Sequence, residues 1–267
     1  GCSNSNFWDE DPFTTRLPQY GKLGDADKIG VGLGVLTAAG VAFIFYARKG
    51  AILMFMTKPV EIEERSMEII APHLEGLALS EDEKKICSRI IHASGDVEYA
   101  PIIKIHPAAI ETIKAALLRG ANIFTDVEMV RRGISIRTFT KFGGEIFCKV
   151  SDVDVREFAK REGITRSMAA MRIFGKRLNG ELVAIGNAPT ALFEVLRLVR
   201  EENIRPAVII GVPVGFVGAA EAKAQLAAQD EIPFITVMGS KGGSSIAVAV
   251  VNAILYMLDN SRGLNEK

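Results

Sequence analysis

The sequence has few of the residues that build disulfide frameworks or metal sites. Among 267 residues there are three cysteines and three histidines. Cys2, Cys87 and Cys148 are widely spaced and odd in number, which predicts no disulfide framework or zinc knuckle and indicates a reducing compartment for the main domain. No two histidines stand at the i, i+4 spacing of metal ligands on one helix, so we predict no metal held by the protein.

The sequence also lacks a charge imbalance and the motifs of common nucleotide enzymes. Its 32 basic residues balance 32 acidic residues, which argues against binding to nucleic acid. No predicted strand precedes the phosphate-binding pattern G-x-x-x-x-G-K-[ST], and the G-x-S-x-G elbow of hydrolases does not occur. Gly30 and Gly32 begin a dinucleotide-like pattern, but Val35 stands where its third glycine would be. These absences leave a P-loop NTPase, a hydrolase with that elbow and a dinucleotide-binding enzyme unsupported.

One long run without charge lies near the N-terminus. Residues 1–28 are polar, and we expect them to be poorly ordered. Residues 29–47 carry no charge, and as a helix they would extend about 28 Å, close to the thickness of a bilayer's hydrocarbon core. Acidic residues precede the run and Arg48 and Lys49 follow it, so the positive-inside rule places the C-terminal side in the cytoplasm. We predict a membrane-spanning helix over 29–47 that anchors a cytoplasmic catalytic domain, with a buried core helix or a glycine-rich loop as alternatives.

Residues 56–260 alternate between short apolar runs and longer amphipathic ones. Continuous apolar strands separated by helices are typical of a parallel sheet covered on both faces. We therefore predict a three-layer α/β/α domain with a mainly parallel, Rossmann-like sheet, followed by a tail over 261–267. The predicted strands are 122–126, 183–185, 207–210 and 234–237, with a strand or hairpin within 131–150, and the main predicted helices are 59–74, 107–119, 165–178, 189–201, 219–228 and 244–258.

A further helix begins at Ser80 and ends close to His92. Ser80 and Glu83 have the spacing of a capping box, in which each side chain satisfies a backbone N–H of the other residue. Ile86 and Ile90 give this helix a buried face, and His92 falls beside that face in the last turn. The helix dipole favours a positive charge there, and a histidine suits proton transfer near neutral pH. The alternative is a histidine that merely caps the last carbonyls of the helix.

Ser66 is a second candidate, because it is polar on a face that is otherwise apolar. Ile62, Ser66, Ile69, Ile70 and His73 form one stripe of the predicted helix over 59–74. A serine in such a stripe is either a small residue that the core tolerates or a residue of a functional site.

The predicted strands end in loops rich in glycine and polar groups. In an open parallel sheet the ligand crevice lies at this edge, and glycine loops that lead into helix N-termini suit anions. Tight turns between strands and helices also need glycine, but four such loops together predict a large ligand with several anionic groups. The candidate binding residues in these loops are Asp126, Asn187, Thr190 and Lys241.

Arg166 is a candidate ligand-binding residue of a different kind. It lies in the first turn of a predicted helix, where a positive charge is unfavourable against the helix dipole. An anionic partner is therefore expected, which would be either a surface carboxylate in an ion pair or a substrate carboxylate held through two hydrogen bonds.

Taken together and in order, these motifs resemble the precorrin-8X methylmutase family of cobalamin biosynthesis. The resemblance extends from about residue 57 to 258 and leaves residues 1–55 uncovered. The motifs that carry it are Glu64-Arg65-Ser66, residues 91–95, 126–130 and 165–167, residues 186–192 and 211–221, and Lys241-Gly242-Gly243-Ser244.

The resemblance implies an isomerase that needs no cofactor. The family moves a methyl group from carbon eleven to carbon twelve of precorrin-8X or cobalt-precorrin-8, which gives hydrogenobyrinic or cobyrinic acid. Its catalytic histidine falls on His92, its substrate-contacting serine on Ser66 and an arginine near the ring on Arg166. It also implies a homodimer, and the many carboxylate arms of the substrate would account for the glycine loops. The alternative function is a membrane-tethered corrinoid carrier without turnover.

Overall fold

The computed structural model describes residues 34–38, 41–48 and 51–259. The chain divides into two units, Gly1–Ile62 and Glu63–Lys267. The first unit contains an antiparallel sheet in which β1 (Gly34–Ala38) pairs with β2 (Val41–Arg48) and β2 pairs with β3 (Ala51–Met56). The predictions for 1–28 and 261–267 lie outside the described residues.

The predicted membrane-spanning helix over 29–47 is wrong. Its described part forms β1 and β2, with residues 39–40 between them. Within the described ranges, no helix is long and apolar enough to cross a bilayer. The run is rich in valine, phenylalanine and isoleucine, which suit strands, and apolar character alone does not separate a helix from a pair of strands.

The rest of the chain alternates helices and strands. The helices are α1 (Pro59–Ile70), α2 (Glu81–Ser94), α3 (Ala109–Leu118), α4 (Glu128–Gly133), α5 (Ile136–Phe139), α6 (Val153–Glu162), α7 (Arg166–Phe174), α8 (Pro189–Glu202), α9 (Ala219–Ala227) and α10 (Ser244–Leu258). The strands are β4 (Ile103–Ile105), β5 (Ile123–Thr125), β6 (Ile146–Cys148), β7 (Leu182–Ile185), β8 (Val208–Gly211) and β9 (Phe234–Val237).

Strands β4 to β9 form one sheet in the order β4-β9-β8-β7-β5-β6. All neighbours are parallel except β4, which runs antiparallel to β9 at one edge. Strands β5, β7, β8 and β9 are buried along their whole length. That burial explains their mainly apolar sequences, because strands covered on both faces present no side chain to water; the two buried threonines, Thr125 and Thr236, donate to backbone carbonyls.

Helices cover both faces of this sheet. Leu182 and Ala184 of β7 pack into the core that α2, α3 and α10 share, whereas Val183 and Ile185 pack into the core beneath α8 and α9. This alternation follows from the two-residue period of a strand. The sheet agrees with the α/β class and the mainly parallel strand order that the sequence predicts. The predicted membrane helix is the part of the fold prediction that the structure contradicts.

The segment 131–150 contains a strand, the first of the two predicted alternatives, but that strand occupies only a small part of it. It holds the end of α4, then α5 and a 3-10 turn, and only Ile146–Cys148 is a strand. Its isoleucines suggest strands, but Ile134 is buried at the end of α4, and Phe139 is buried at the end of α5. Tertiary packing overrides local propensity there.

Candidate active site

Helix α2 is built as its sequence predicts. The N–H of Glu83 donates to Ser80 Oγ over 3.3 Å, and the N–H of Ser80 donates to Glu83 Oε2 over 2.7 Å, which completes the capping box. Ile86 and Ile90 are fully buried against the sheet and α10. The helix is thereby fixed at its start and along one face, and its last turn has a defined position.

His92 lies in that last turn with its side chain exposed. Other groups satisfy the helix end: the Ser94 hydroxyl donates to the carbonyls of Ile90 and Ile91, and the N–H of Gly95, at φ 66°, donates to the Ile91 carbonyl. His92 therefore does not cap the helix. Within residues 57–259 its imidazole has no hydrogen bond or ion pair, which leaves it available to a ligand.

The segment after His92 leads directly to the ligand edge of the sheet. Asp96 caps a 3-10 helix over Val97–Ile102 by accepting the N–H of Glu98 over 2.9 Å. The chain then enters the antiparallel strand β4, and the Ile102 carbonyl accepts the N–H of Met238 over 2.8 Å. Because β4 runs opposite to β9, its start lies at the carboxyl end of β9, where the crevice of such a sheet is found.

Lys241 lies in the loop after β9 and reaches the segment that follows His92. Its ammonium donates to Asp96 Oδ2 over 2.5 Å and to Glu98 Oε2 over 2.6 Å, and it lies 5.5 Å from the centre of the Tyr99 ring. Hydrogen bonds to Asp96 and Glu98 raise the pKa of Lys241, and Lys241 lowers the pKa of Asp96. The structure thus pairs this predicted ligand-binding residue internally.

The loops after β8 and β9 are also held together by their backbones. The N–H of Gly243 donates to the Val212 carbonyl over 2.9 Å, and the N–H of Gly215 donates to the Ser240 carbonyl over 3.1 Å. Gly242 has φ 153°, and a Cβ there would collide with the Val212 carbonyl. These glycines serve close packing of two loops as well as any approach to a ligand.

Asp126 is completely buried, and its carboxylate binds the backbone of the loop after β7. Its Oδ1 accepts the N–H of Gly186 over 3.0 Å, and its Oδ2 accepts those of Asn187 and Ala188 over 2.8 and 2.7 Å. Burial raises the pKa of Asp126, and the three N–H groups act against that rise by stabilising the carboxylate. Three backbone N–H groups of the loop after β7 therefore donate to Asp126 and not to a ligand. The Asn187 side chain remains exposed.

Arg166 and Thr190 are brought together through a pair of hydroxyls. Thr165 Oγ1 lies 2.8 Å from Thr190 Oγ1 and accepts the N–H of Met168, so it joins the start of α7 to the first turn of α8. Arg166 follows Thr165 and is exposed. Within residues 57–259 its guanidinium has no hydrogen bond or ion pair, so the surface pair considered from the sequence is not formed there.

Ser66 lies half-buried on α1, at the margin of its buried face. That face passes through Met67 and Ile70, whereas Ile62 and Ile69 of the predicted stripe are exposed. One helical turn before Ser66, Glu63 Oε1 accepts a hydrogen bond from Arg89 Nη2 over 2.9 Å. Since Arg89 is one turn before His92, this pair links the turns that precede the two candidate residues.

Sequence reasoning missed Lys223, which is fully buried on α9. Its ammonium donates to the backbone carbonyl of Lys241, and burial lowers its pKa to about 8. A signal was present: Ala219, Ala222, Lys223 and Leu226 have the spacing of one helix face, and all four are buried.

Comparison with known proteins agrees with this architecture. Residues 61–257 match the family model described as precorrin-8X methylmutase. The chain belongs to the precorrin-8X methylmutase family. Members of this family are isomerases of cobalamin biosynthesis, so the protein is an enzyme of that class, and nothing in these relatives supports the carrier without turnover.

The matches to individual relatives extend over nearly the whole length of each relative. A cobalt-precorrin-8 methylmutase from Priestia megaterium is 42% identical over 203 residues, which is 76% of this chain and 90% of the relative. A precorrin-8X methylmutase from a Sinorhizobium species is 41% identical over 194 residues, 72% of this chain and 92% of the relative. The crystal structure of the precorrin-8X methylmutase from Thermus thermophilus superposes with a TM-score of 0.68 at 31% identity and covers 75% of this chain and 98% of that one.

Proposed function

We propose that this methylmutase acts on precorrin-8X or its cobalt form and that His92 carries the proton during methyl migration. The observation behind this is an exposed imidazole without an internal partner among residues 57–259, at the end of a rigid helix that opens onto the ligand edge of the sheet. A general acid or base must reach its substrate, and the other groups at the end of α2 already bond to one another.

The proton balance is set by the class of reaction. Substrate and product of a methylmutase are isomers. A proton that His92 donates to the macrocycle must therefore return from the macrocycle to His92 before turnover ends. The methyl group leaves carbon eleven and bonds to carbon twelve within the same molecule while the double bonds rearrange. This chemistry requires a proton carrier and a pocket that fits the macrocycle, and it requires no external methyl donor.

Turnover of both substrate forms tests the proposal. Purified protein is mixed with precorrin-8X and, separately, with cobalt-precorrin-8, and formation of hydrogenobyrinic or cobyrinic acid is followed by absorbance. Conversion of either form supports the proposed function, and the ratio of kcat/KM for the two forms identifies the preferred one. Failure to convert either form would contradict it.

Ser66 and Arg166 are proposed as substrate contacts. Arg166 supports this most directly, because an exposed guanidinium in the first turn of α7 opposes the helix dipole and has no carboxylate partner within residues 57–259. An acetate or propionate arm would supply that partner. Asn187, two residues before α8, and Thr190, in its first turn, complete the proposed binding edge, and Asp126 is assigned the positioning of the loop that leads into α8.

Replacement of Arg166 by methionine is expected to weaken product binding. Loss of a charge-assisted pair costs about 1.5–3 kcal/mol, so the Kd for hydrogenobyrinic acid should rise by about 10- to 150-fold. An absorbance titration measures this, and Arg166→Lys should recover part of the affinity. The matched control is Arg161→Met, which removes an exposed arginine that pairs with Glu162. Equal affinities for wild type and Arg166→Met would remove Arg166 from the site.

We also propose that the protein is a homodimer. The loop after β8 carries Phe216 and Val217, which are 98% and 89% exposed. Adjacent apolar side chains this open are typical of a surface that another molecule covers. The chain mass is 28.9 kDa, and sedimentation equilibrium should give a molecular mass of twice that value. Phe216→Ser should raise the dissociation constant of the dimer. A monomer at micromolar concentration would contradict the proposal.

A further inference from the structure

Lys223 is a buried cation that the proposed chemistry does not use. It is fully buried among the small and apolar side chains of α9, and no carboxylate pairs with it within residues 57–259. A buried ammonium without a counter-charge lowers stability, and a methionine of similar length would avoid that penalty. Its one hydrogen-bond partner there is the backbone carbonyl of Lys241.

Lys241 is thereby held at both ends. Its carbonyl accepts from Lys223, and its ammonium donates to Asp96 and Glu98 over 2.5 and 2.6 Å. The neighbouring Ser240 carbonyl accepts the N–H of Gly215. The side chain of Lys241 therefore extends from a fixed backbone, so its ammonium links Asp96 and Glu98 to the loop after β9.

The far end of this connection is the segment that begins at His92. Asp96 is four residues beyond His92, and the residues between them are Ala93, Ser94, which closes α2, and the left-handed Gly95. Asp96 uses Oδ1 to cap the 3-10 helix and Oδ2 to bind Lys241. Without Lys241, Asp96 would lose its side-chain link to the loop after β9, and the nearest remaining contact to that loop would be the Tyr99 hydroxyl, which donates to the Gly242 carbonyl over 3.4 Å.

We propose that Lys241 and Lys223 are positioning residues for methyl migration, in which Lys241 fixes the segment after His92 and Lys223 fixes Lys241. The proposal rests on the function proposed above, because it assigns His92 the proton. It differs from a direct role of Lys241: a lysine that binds a substrate arm sets affinity, whereas a lysine that places His92 sets the rate of the chemical step.

The experiment compares Lys241→Met, Lys223→Met and Asp96→Asn with wild type in kcat, in KM and in the Kd of hydrogenobyrinic acid. Since a misplacement of about 1 Å can reduce a rate by about a hundredfold, kcat should fall by about 10- to 100-fold in Lys241→Met and Lys223→Met. The Kd for hydrogenobyrinic acid should stay within about threefold of the wild-type value, because a residue that acts only on the chemical step does not change ground-state binding. Lys241→Arg should recover part of kcat.

Two further features separate positioning from a general structural role. The double variant Lys241→Met/Asp96→Asn should be no slower than Lys241→Met, since both changes break one connection. Lys223→Met should keep or raise the midpoint of thermal unfolding although kcat falls, because it removes a buried charge. The control is Lys85→Met, which breaks an exposed ion pair with Asp82 within α2. It should change neither kcat nor the midpoint of thermal unfolding.

Hydrogen exchange gives a readout that does not depend on turnover. Amides of residues 92–99 should exchange faster in Lys241→Met and Lys223→Met than in wild type and Lys85→Met. Unchanged exchange and kcat, or a rise in Kd with unchanged kcat, would overturn the positioning role while leaving the proposed function intact. Faster exchange in Lys241→Met and Lys223→Met, together with a wild-type protein that converts neither substrate form, would instead contradict the proposed function alone. If Lys223→Met does not fold, Lys241→Met and Asp96→Asn decide the outcome.

Discussion

A His92→Ala protein is expected to convert precorrin-8X at least about a hundredfold more slowly than wild type, and by up to about ten-thousandfold, the range that a positioned acid–base group contributes. The side chain is exposed and has no internal partner within residues 57–259, so its removal leaves the fold of α2 intact. Affinity for hydrogenobyrinic acid should therefore change by less than about threefold, because the carboxylate arms are held elsewhere. Single-turnover absorbance kinetics, with an absorbance titration of the product, measures both quantities.

His73→Ala is the matched control for this result. His73 is also exposed and also ends a helical segment, the 3-10 turn over Ala71–His73. Its loss should leave both rate and affinity unchanged. His106 is unsuitable as a control, because its ring packs against Phe234 and its Nδ1 accepts the N–H of Ala108. A His92→Ala protein that turns over at the wild-type rate would require another proton carrier.

Local patterns in the sequence were sufficient for the helix that carries His92. The Ser80 and Glu83 capping box spans only three residues, and Gly95 ends the helix through its own backbone conformation, so both can be recognised without tertiary contacts. The same holds for β7, β8 and β9, whose apolar runs reflect burial on both faces. The apolar run over 29–47 shows the limit of such patterns, since its length and hydropathy fit a helix while its described part forms strands.

The connections that organise the site are long in sequence and could not be read from spacing. Lys241 pairs with Asp96 across 145 residues, and Asp126 binds N–H groups about sixty residues away. The sequence predicts both side chains as substrate-binding residues, because a charge at the end of a strand is compatible with either an internal or an external partner. Only the fold determines which backbone donors and carboxylates are close enough to take that place.

Asp126→Ala is expected to lower the free energy of unfolding by about 3–5 kcal/mol, the largest stability effect at this edge of the sheet. It would leave the N–H groups of Gly186, Asn187 and Ala188 without their buried acceptor, and each unsatisfied donor costs about 1–3 kcal/mol before the loop relaxes. Denaturant unfolding at fixed protein concentration measures the change. Asp152→Ala, which removes an exposed carboxylate paired with Lys149, should cost less than about 1 kcal/mol.

Asp126→Asn distinguishes the two roles considered for this residue. The amide keeps one oxygen acceptor but places an NH₂ group against a backbone N–H, so a positioning residue should lose stability, though less than in Asp126→Ala. A substrate-binding carboxylate would behave differently: removal of its charge would alter the Kd of hydrogenobyrinic acid and leave unfolding unchanged. We expect the first pattern, because every acceptor interaction that Asp126 makes in the structure is directed to the loop that begins α8. An unchanged unfolding free energy in Asp126→Ala would show that the loop holds itself.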